Sequence, residues 1–188
     1  MRRSQVPGLS WAQVDARARD VLCNVAPECL SVIQESPILR IFEGGLRDTY
    51  GIGYGVEELP YGTEAYFDPI TNEIILDVQV YEDLCAGNPR ARFTVAHEIG
   101  HGIMHGAYFK EIHSGNRKAS VLNRGDIPHY RDPEKQANRF ASEFLMPTPL
   151  VDTLIRQEGS PSDIMRIFHV SFTAAEIKYT NVRKNLGL

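Results

Sequence analysis

The segment TVAHEIGHGIMHG, residues 94–106, places histidines at four-residue intervals and a glutamate directly after the first of them. In an α-helix a four-residue step turns about 400° and rises about 6 Å, so His97 and His101 lie one turn apart on one face and can bind the same metal ion. Glu98 lies about 100° further round, where its carboxylate can accept a proton from a metal-bound water. The pattern predicts metal-assisted hydrolysis; the alternative is an ordinary histidine pair in a helix that matches the motif by accident.

His105 continues the four-residue series, but helix geometry excludes it from the same metal ion. A catalytic zinc needs a third protein ligand and an open position for water. Along a continuous helix His105 lies about 12 Å from His97, whereas zinc ligands lie about 2 Å from the ion. His105 is therefore expected either to form hydrogen bonds within the core or to contact substrate, and the core role is favoured.

The predicted third ligand lies in the segment DPEKQANRFASEFLMP, which is typical of a helix over about 132–146. Ala137 and Ala141 allow this helix to approach another closely, which leaves Glu134 projecting toward the histidines. Asn138, one turn further on, can accept the remaining N–H of a metal-binding histidine and fix its tautomer. The alternative for Glu134 is a first-turn glutamate that only stabilises the helix dipole.

Other elements must bring these two helices together. Ser10 and Gln13 predict a capping box at the start of a helix over about 11–24. Asn88 and Pro89 begin the histidine helix, for which Gly106 is the predicted stop. Three or four antiparallel strands are expected in the segments ILRIFE, YGIGYGVEEL, EAYFD and NEIILDVQV, with the turn DPITN before the last. The chain is expected to close with the short helices LVDTLIRQ, PSDIMRIF and TAAEIKYTNVRK.

Composition narrows the class of protein. The chain has 188 residues, enough for one domain with a sizeable core, and its 43% hydrophobic and 23% charged residues are typical of a globular protein. It contains no apolar run near the roughly 20 residues of a membrane span, and its N-terminus lacks the apolar stretch of a secretory signal. A cytoplasmic location is expected. The formal net charge of −4 disfavours general nucleic-acid binding.

The two motifs together resemble a known family. The segments RFTVAHEIGHGIMH and EKQANRFASEFLMP are similar to the paired signatures of the ImmA/IrrE zinc metallopeptidases. The resemblance implies a compact α+β, zincin-like fold, in which a small antiparallel-rich sheet packs against the active-site helix and a helical tail follows. It implies Zn²⁺ bound by His97, His101 and Glu134 in a gluzincin-like set, with Glu98 as general base and Asn138 in support. It also implies that the strand NEIILD, or a neighbour, borders the cleft and holds an extended peptide.

The resemblance extends to domain organisation and substrate. It favours a single metallopeptidase domain over 1–188, with a zincin-like core at 1–147 and a helical tail at 148–188 packed on that core. The implied activity is endopeptidase cleavage of a regulatory protein such as a helix-turn-helix repressor. One alternative is a toxin-antitoxin-like protein that binds its partner without proteolysis. Another is a DNA-binding regulator that uses the tail as a helix-turn-helix, although the tail's apolar residues favour a packing role.

A zinc peptidase also needs a hydrogen-bond donor for the oxyanion that develops on the scissile carbonyl. Tyr108, His113, His129 and Tyr130 lie in or near the predicted loop after the histidine helix. His129 and Tyr130 precede Glu134 by only a few residues, so they are the preferred candidates among the four, and ordinary surface loop residues are the alternative.

Overall fold

The computed structural model describes residues 2–123 and 127–187. The α-helices are α1 (Trp11–Val25), α2 (Ile38–Arg40), α3 (Leu46–Tyr50), α4 (Val78–Cys85), α5 (Pro89–His113), α6 (Pro133–Leu145), α7 (Thr148–Arg156), α8 (Pro161–Phe168) and α9 (Phe172–Asn185). The strands are β1 (Arg2–Ser4), β2 (Gly53–Glu57), β3 (Ala65–Asp68), β4 (Glu73–Asp77) and β5 (Val121–Asn123). Short 3₁₀ helices cover Pro27–Leu30 and His129–Arg131, and a π-helical segment covers Ile41–Gly45.

The main sheet has three strands in the order β2-β4-β3, which leaves β3 at an edge. Strand β4 pairs antiparallel with β3 but parallel with β2, so the prediction of antiparallel strands is wrong for that second pair. The chain passes from β2 across to β3 before it returns to the middle of the sheet as β4. The predicted turn between β3 and β4 is present: the Asp68 carboxylate accepts hydrogen bonds from the backbone N–H groups of Ile70 and Thr71.

The prediction of a strand at ILRIFE is wrong, because this segment is helical. Ile38, Ile41, Phe42 and Leu46 are all buried to about 1% exposure. Their spacing of three, one and four residues places them on one side of a helix, whereas in a strand Ile41 and Phe42 would point to opposite faces. The spacing of the apolar residues in the sequence is therefore that of a helix.

Helix α5 does not stop at Gly106 as predicted but continues to His113. The glycines of this helix instead allow close packing on both of its sides. A Cβ atom on Gly106 would lie 3.1 Å from the ring of Phe67 in β3, and one on Gly100 would lie 3.1 Å from the ring of Phe140 in α6. Glycine at these positions therefore brings the sheet and α6 close to the histidine helix.

One hydrophobic cluster includes α1, α5, α6 and the C-terminal helices. The tail contributes buried residues such as Ile164, Phe168 and Val182. A polar contact also joins the tail to α6: the Lys178 ammonium lies 2.6 Å from the Glu143 carboxylate, and both side chains are buried. The α+β class, with a small sheet packed against the histidine helix, is confirmed. None of the helices in the described part of the chain is long and apolar enough to cross a membrane.

Candidate metal centre

Helix α5 presents His97 and His101 on the face that meets α6. Asn88 caps this helix by accepting the backbone N–H of Arg90, and Pro89 occupies its first position. The Nε2 atoms of His97 and His101 lie 2.9 Å apart, so the two rings converge on one point, as the four-residue spacing predicts. Both side chains are only partly exposed, at 16% and 14%.

Helix α6 brings Glu134 to the same point. Asp132 caps the helix by accepting the backbone N–H of Glu134, which fixes the first turn, and Ala137 and Ala141 are fully buried where α6 packs. The Glu134 carboxylate oxygens lie 3.7 Å from Nε2 of His97 and 3.7 Å from Nε2 of His101. Two residues of one helix and one residue of another thus form a compact group of donors.

The geometry of this group fits a zinc ion. The ligand atoms of His97, His101 and Glu134 all lie within 4.8 Å of one another. Tetrahedral zinc with ligands at about 2.0–2.1 Å separates neighbouring ligand atoms by about 3.3 Å, close to the observed 2.9 and 3.7 Å. Two imidazoles and one carboxylate are also a donor set of catalytic zinc sites, with a fourth position left for water.

Asn138 supports His97. Its side-chain oxygen lies 2.9 Å from Nδ1 of His97, so the ring donates its Nδ1 hydrogen to the amide and directs the Nε2 lone pair at the donor group. Burial lowers the pKa of His97, although the Glu134 carboxylate and the Asn138 hydrogen bond partly oppose that effect. The neutral ring is the form that binds a metal ion.

Glu98 lies beside the donor group. Burial raises the pKa of Glu98 to about 7, with a further contribution from the negative charge of Glu134, while a backbone hydrogen bond from Phe67 opposes the rise. A carboxyl group with a pKa near neutrality can both accept and return a proton, which is the requirement for a general base in hydrolysis.

The donor group opens into a cavity of about 330 Å³. Its lining residues come from β3, α5 and α6 and are Ala65, Tyr66, Phe67, His97, Glu98, His101, Phe109 and Glu134. Tyr66 and Phe109 were not predicted from the sequence. The alternation of side chains along a strand places alternate residues on one face, but it does not indicate which face meets the histidine helix.

His105 and the predicted oxyanion donors lie elsewhere. His105 is 1% exposed and is hydrogen-bonded between His101 and Gln136, as expected for a core histidine, and burial lowers its pKa to about 4. His129 and Tyr130 are exposed and are not among the side chains that line the cavity. Tyr108 and His113, which lie in α5 beyond the donor group, also do not line the cavity; Tyr108 is partly buried and His113 is exposed.

Comparisons with known proteins agree with the motifs. A sequence profile described as the IrrE N-terminal-like domain, of a peptidase family, matches residues 80–180, more than half of the chain. A solved structure of a Mycobacterium tuberculosis transcriptional regulator is similar, with a TM-score of 0.56 and 18% sequence identity over 86% of this chain and 53% of that one. This chain therefore spans about half of that protein, and the likeness concerns the fold. No curated protein matches the chain. With both donor helices inside the matched region, the chain belongs to the IrrE N-terminal-like family of peptidases.

Proposed function

We propose that this protein is a zinc-dependent endopeptidase that cleaves a regulatory protein, with a helix-turn-helix repressor as the substrate class. Membership of the family indicates a metallopeptidase. The observation that carries the proposal is the convergence of His97, His101 and Glu134 beside the buried carboxyl group of Glu98 in an open cavity. When bound at this donor group, zinc supplies Lewis-acid activation of a water molecule and polarises the substrate carbonyl.

Two residues beside the donor group have defined tasks in this reaction. The Glu98 carboxylate accepts the proton of the attacking water and returns a proton to the leaving amine. Burial of Glu98 favours both transfers, because a carboxyl pKa of about 7 lies close to neutral pH. Asn138 holds the ring of His97 with Nε2 facing the donor group.

The edge strand β3 provides a place for the substrate backbone. It pairs with β4 on one side, and Ala65, Tyr66 and Phe67 line the cavity. An extended peptide can add to such an edge through main-chain hydrogen bonds, which positions one peptide bond without demanding a particular sequence. The segment NEIILD, one of the strands expected to border the cleft, forms the central strand β4, so its neighbour β3 is the proposed site of peptide addition.

The substrate class is proposed from the family resemblance. The resemblance to ImmA/IrrE metallopeptidases points to a repressor, and the similar Mycobacterium tuberculosis structure is described as a transcriptional regulator. A protein that binds its regulator without cleaving it is the alternative. Direct DNA binding by α8 and α9 is disfavoured, because Ala175, Lys178 and Val182 of α9 are buried against the rest of the chain.

The Glu98→Gln variant tests the catalytic proposal. The zinc-loaded protein is incubated with purified helix-turn-helix repressors from the same genome, starting with any that an adjacent gene encodes, and cleavage is followed by mass spectrometry. Glu98→Gln should lose cleavage by at least about 100-fold while it retains zinc and partner binding, because the amide cannot accept the proton. Glu176→Gln, the same change at an exposed position of α9, is the matched control. Cleavage by Glu98→Gln at the wild-type rate would refute the assignment of the base.

Zinc analysis tests the donor group. Glu134→Ala should bind zinc much more weakly than the wild type, whereas Glu176→Ala should bind it unchanged. Equal zinc content and affinity in Glu134→Ala would show that another residue is the third ligand.

The DNA-binding alternative is tested by gel shift at increasing salt, where genuine binding weakens steeply.

A further inference from the structure

A chain of hydrogen bonds runs away from the donor group behind His101. Nδ1 of His101 lies 3.1 Å from Nδ1 of His105, and Nε2 of His105 lies 2.9 Å from the side-chain oxygen of Gln136. The amide nitrogen of Gln136 donates to two backbone carbonyls, those of Tyr130 at 2.7 Å and Pro7 at 3.1 Å. Gln136 is fully buried and His105 is 1% exposed.

The two carbonyls determine where the hydrogens lie along this chain. A carbonyl can only accept, so both N–H groups of Gln136 are used and its oxygen faces His105. His105 therefore donates from Nε2. Because the His105 ring is buried, with a neutral amide at its Nε2, the uncharged ring is favoured, and its Nδ1 accepts. His101 must then donate from Nδ1, which leaves the lone pair on its Nε2.

Asn138 has the same effect on the other histidine. It accepts from Nδ1 of His97 and leaves the Nε2 lone pair on that ring. Two lone pairs thus face each other across 2.9 Å, beside the carboxylate of Glu134. A cation between them stabilises this arrangement, so the hydrogen bonds around the site prepare both imidazoles for metal binding before an ion is bound.

We propose that His105 and Gln136 are positioning residues that fix the tautomer and the ring orientation of His101 for metal binding. This inference rests on the proposed function, because it assigns His101 as a ligand. Neither residue lines the cavity, so neither is assigned a direct part in hydrolysis. The role also gives the third histidine of the four-residue series a task that metal coordination cannot supply.

Gln136 is held in turn by backbone from two distant parts of the chain. Residues 5–9, here called the N-terminal arm, lie along the segment that precedes α6. The backbone N–H of Val6 donates to the Arg131 carbonyl, and that of Leu9 donates to the Tyr130 carbonyl. The Tyr130 carbonyl that orients the Gln136 amide is therefore itself held by a main-chain hydrogen bond, and the Pro7 carbonyl lies between the two bonded residues Val6 and Leu9.

NMR of the metal-free, ¹⁵N-labelled, full-length protein tests the proposal directly. Long-range ¹H–¹⁵N correlations distinguish a ring protonated at Nδ1 from one protonated at Nε2. In the wild type, His101 and His97 are expected as Nδ1–H tautomers and His105 as the Nε2–H tautomer. An Nε2–H tautomer of His101 in the folded wild type would overturn the proposal, and this measurement needs no variant.

Variants connect the tautomer to metal affinity. His105→Phe keeps a ring of similar size but removes the acceptor for the Nδ1 hydrogen of His101. Gln136→Met keeps a side chain of similar length but removes the acceptor for the Nε2 hydrogen of His105. Each should move His101 toward the Nε2–H tautomer and weaken zinc binding by about 10- to 100-fold. Asn138→Ala is the matched control, since it should change the tautomer of His97 and leave that of His101 unchanged.

The outcomes separate this proposal from the proposed function. If either variant folds and keeps both the Nδ1–H tautomer of His101 and wild-type zinc affinity, the positioning role is wrong while the peptidase assignment stands. If the wild type shows the expected tautomers but binds no zinc, the hydrogen-bond directions are correct, while the proposed function and the role of these residues in metal binding are both wrong. Circular dichroism and thermal unfolding establish whether each variant is folded.

Discussion

Glu98→Gln is expected to stabilise the metal-free protein, and the gain should depend on pH. In the folded protein burial raises the pKa of Glu98 from 4.5 to about 7. The folded state therefore binds the proton more tightly than the unfolded state does. Its contribution to stability is present below pH 4.5 and is lost as the pH rises through about 7. Glutamine has nearly the same shape and does not ionise, so it avoids this loss.

The size of the effect follows from the pKa difference. A change from 4.5 to about 7 corresponds to about 3 kcal/mol, at about 1.4 kcal/mol for each pKa unit. Most of the change falls between pH 5 and 8. Over that interval the free energy of unfolding of Glu98→Gln should rise relative to that of the wild type by about 2–3 kcal/mol. A general base that is buried enough to have this pKa thus lowers the stability of the protein at neutral pH.

Urea unfolding in the presence of a chelator measures this difference. The wild type, Glu98→Gln and the control Glu176→Gln are unfolded at pH 5, 6, 7 and 8, and the free energy in water is obtained by linear extrapolation. The control should follow the wild type at every pH. If Glu98→Gln also keeps a constant difference from the wild type across this range, Glu98 is not desolvated and the physical basis for its role as a base is refuted.

Further predictions concern the packing of the helices and the metal affinity of the site. Lys178→Met should destabilise the protein by about 3 kcal/mol in urea unfolding, because it removes the buried cation of the Glu143 carboxylate and leaves only the partly exposed Arg19. Adding Glu143→Gln should restore much of the loss. Burial alone would raise the pKa of Glu143, but the Lys178 ammonium and hydrogen bonds from Thr148 hold that pKa below its usual value. The ionised Glu143 carboxylate should therefore stabilise the protein above pH 4.5, and acid titration should show this stability being lost as the pH falls below that value. Gly100→Ala should lower the free energy of unfolding by about 1–3 kcal/mol relative to Gly44→Ala, whose new methyl group meets open space; equal values would show that the helix interface can adjust. Free zinc at about 100 times its Kd should stabilise the wild type by about 2.7 kcal/mol and Glu134→Ala far less, which calorimetry can measure.

The parts of the site that follow from rigid local geometry could be predicted from the sequence. The spacing of His97 and His101 on one helix determines their approach, and the signature of the second helix pointed to Glu134 and Asn138. The structure brings these four side chains together, while their roles in zinc binding remain proposals. Gln136 lies within the same signature, but its task depends on backbone carbonyls that only the fold brings near.

The incorrect and missing predictions from the sequence have physical causes. The segment ILRIFE contains β-branched residues that favour a strand, yet its buried residues follow helical spacing, and packing prevailed over intrinsic preference. Gly106 looked like a helix end because glycine often ends helices, but here it provides room for the ring of Phe67. The side chains of Tyr66 and Phe109 reach the cavity through contacts between distant elements, and periodicity within one element carries no information about them.

The N-terminal arm also bears on the order of folding. The hydrogen bond from Gln136 to the Pro7 carbonyl joins residues that are 129 positions apart in the chain. Closing so long a loop is entropically costly, so this contact should form after the local helices have been made. On a ribosome the first residues emerge early but must wait for α6 before their carbonyl finds its donor. Tight zinc binding would then be among the last properties that the chain acquires, and a metal-sensitive dye would report complete folding rather than helix formation.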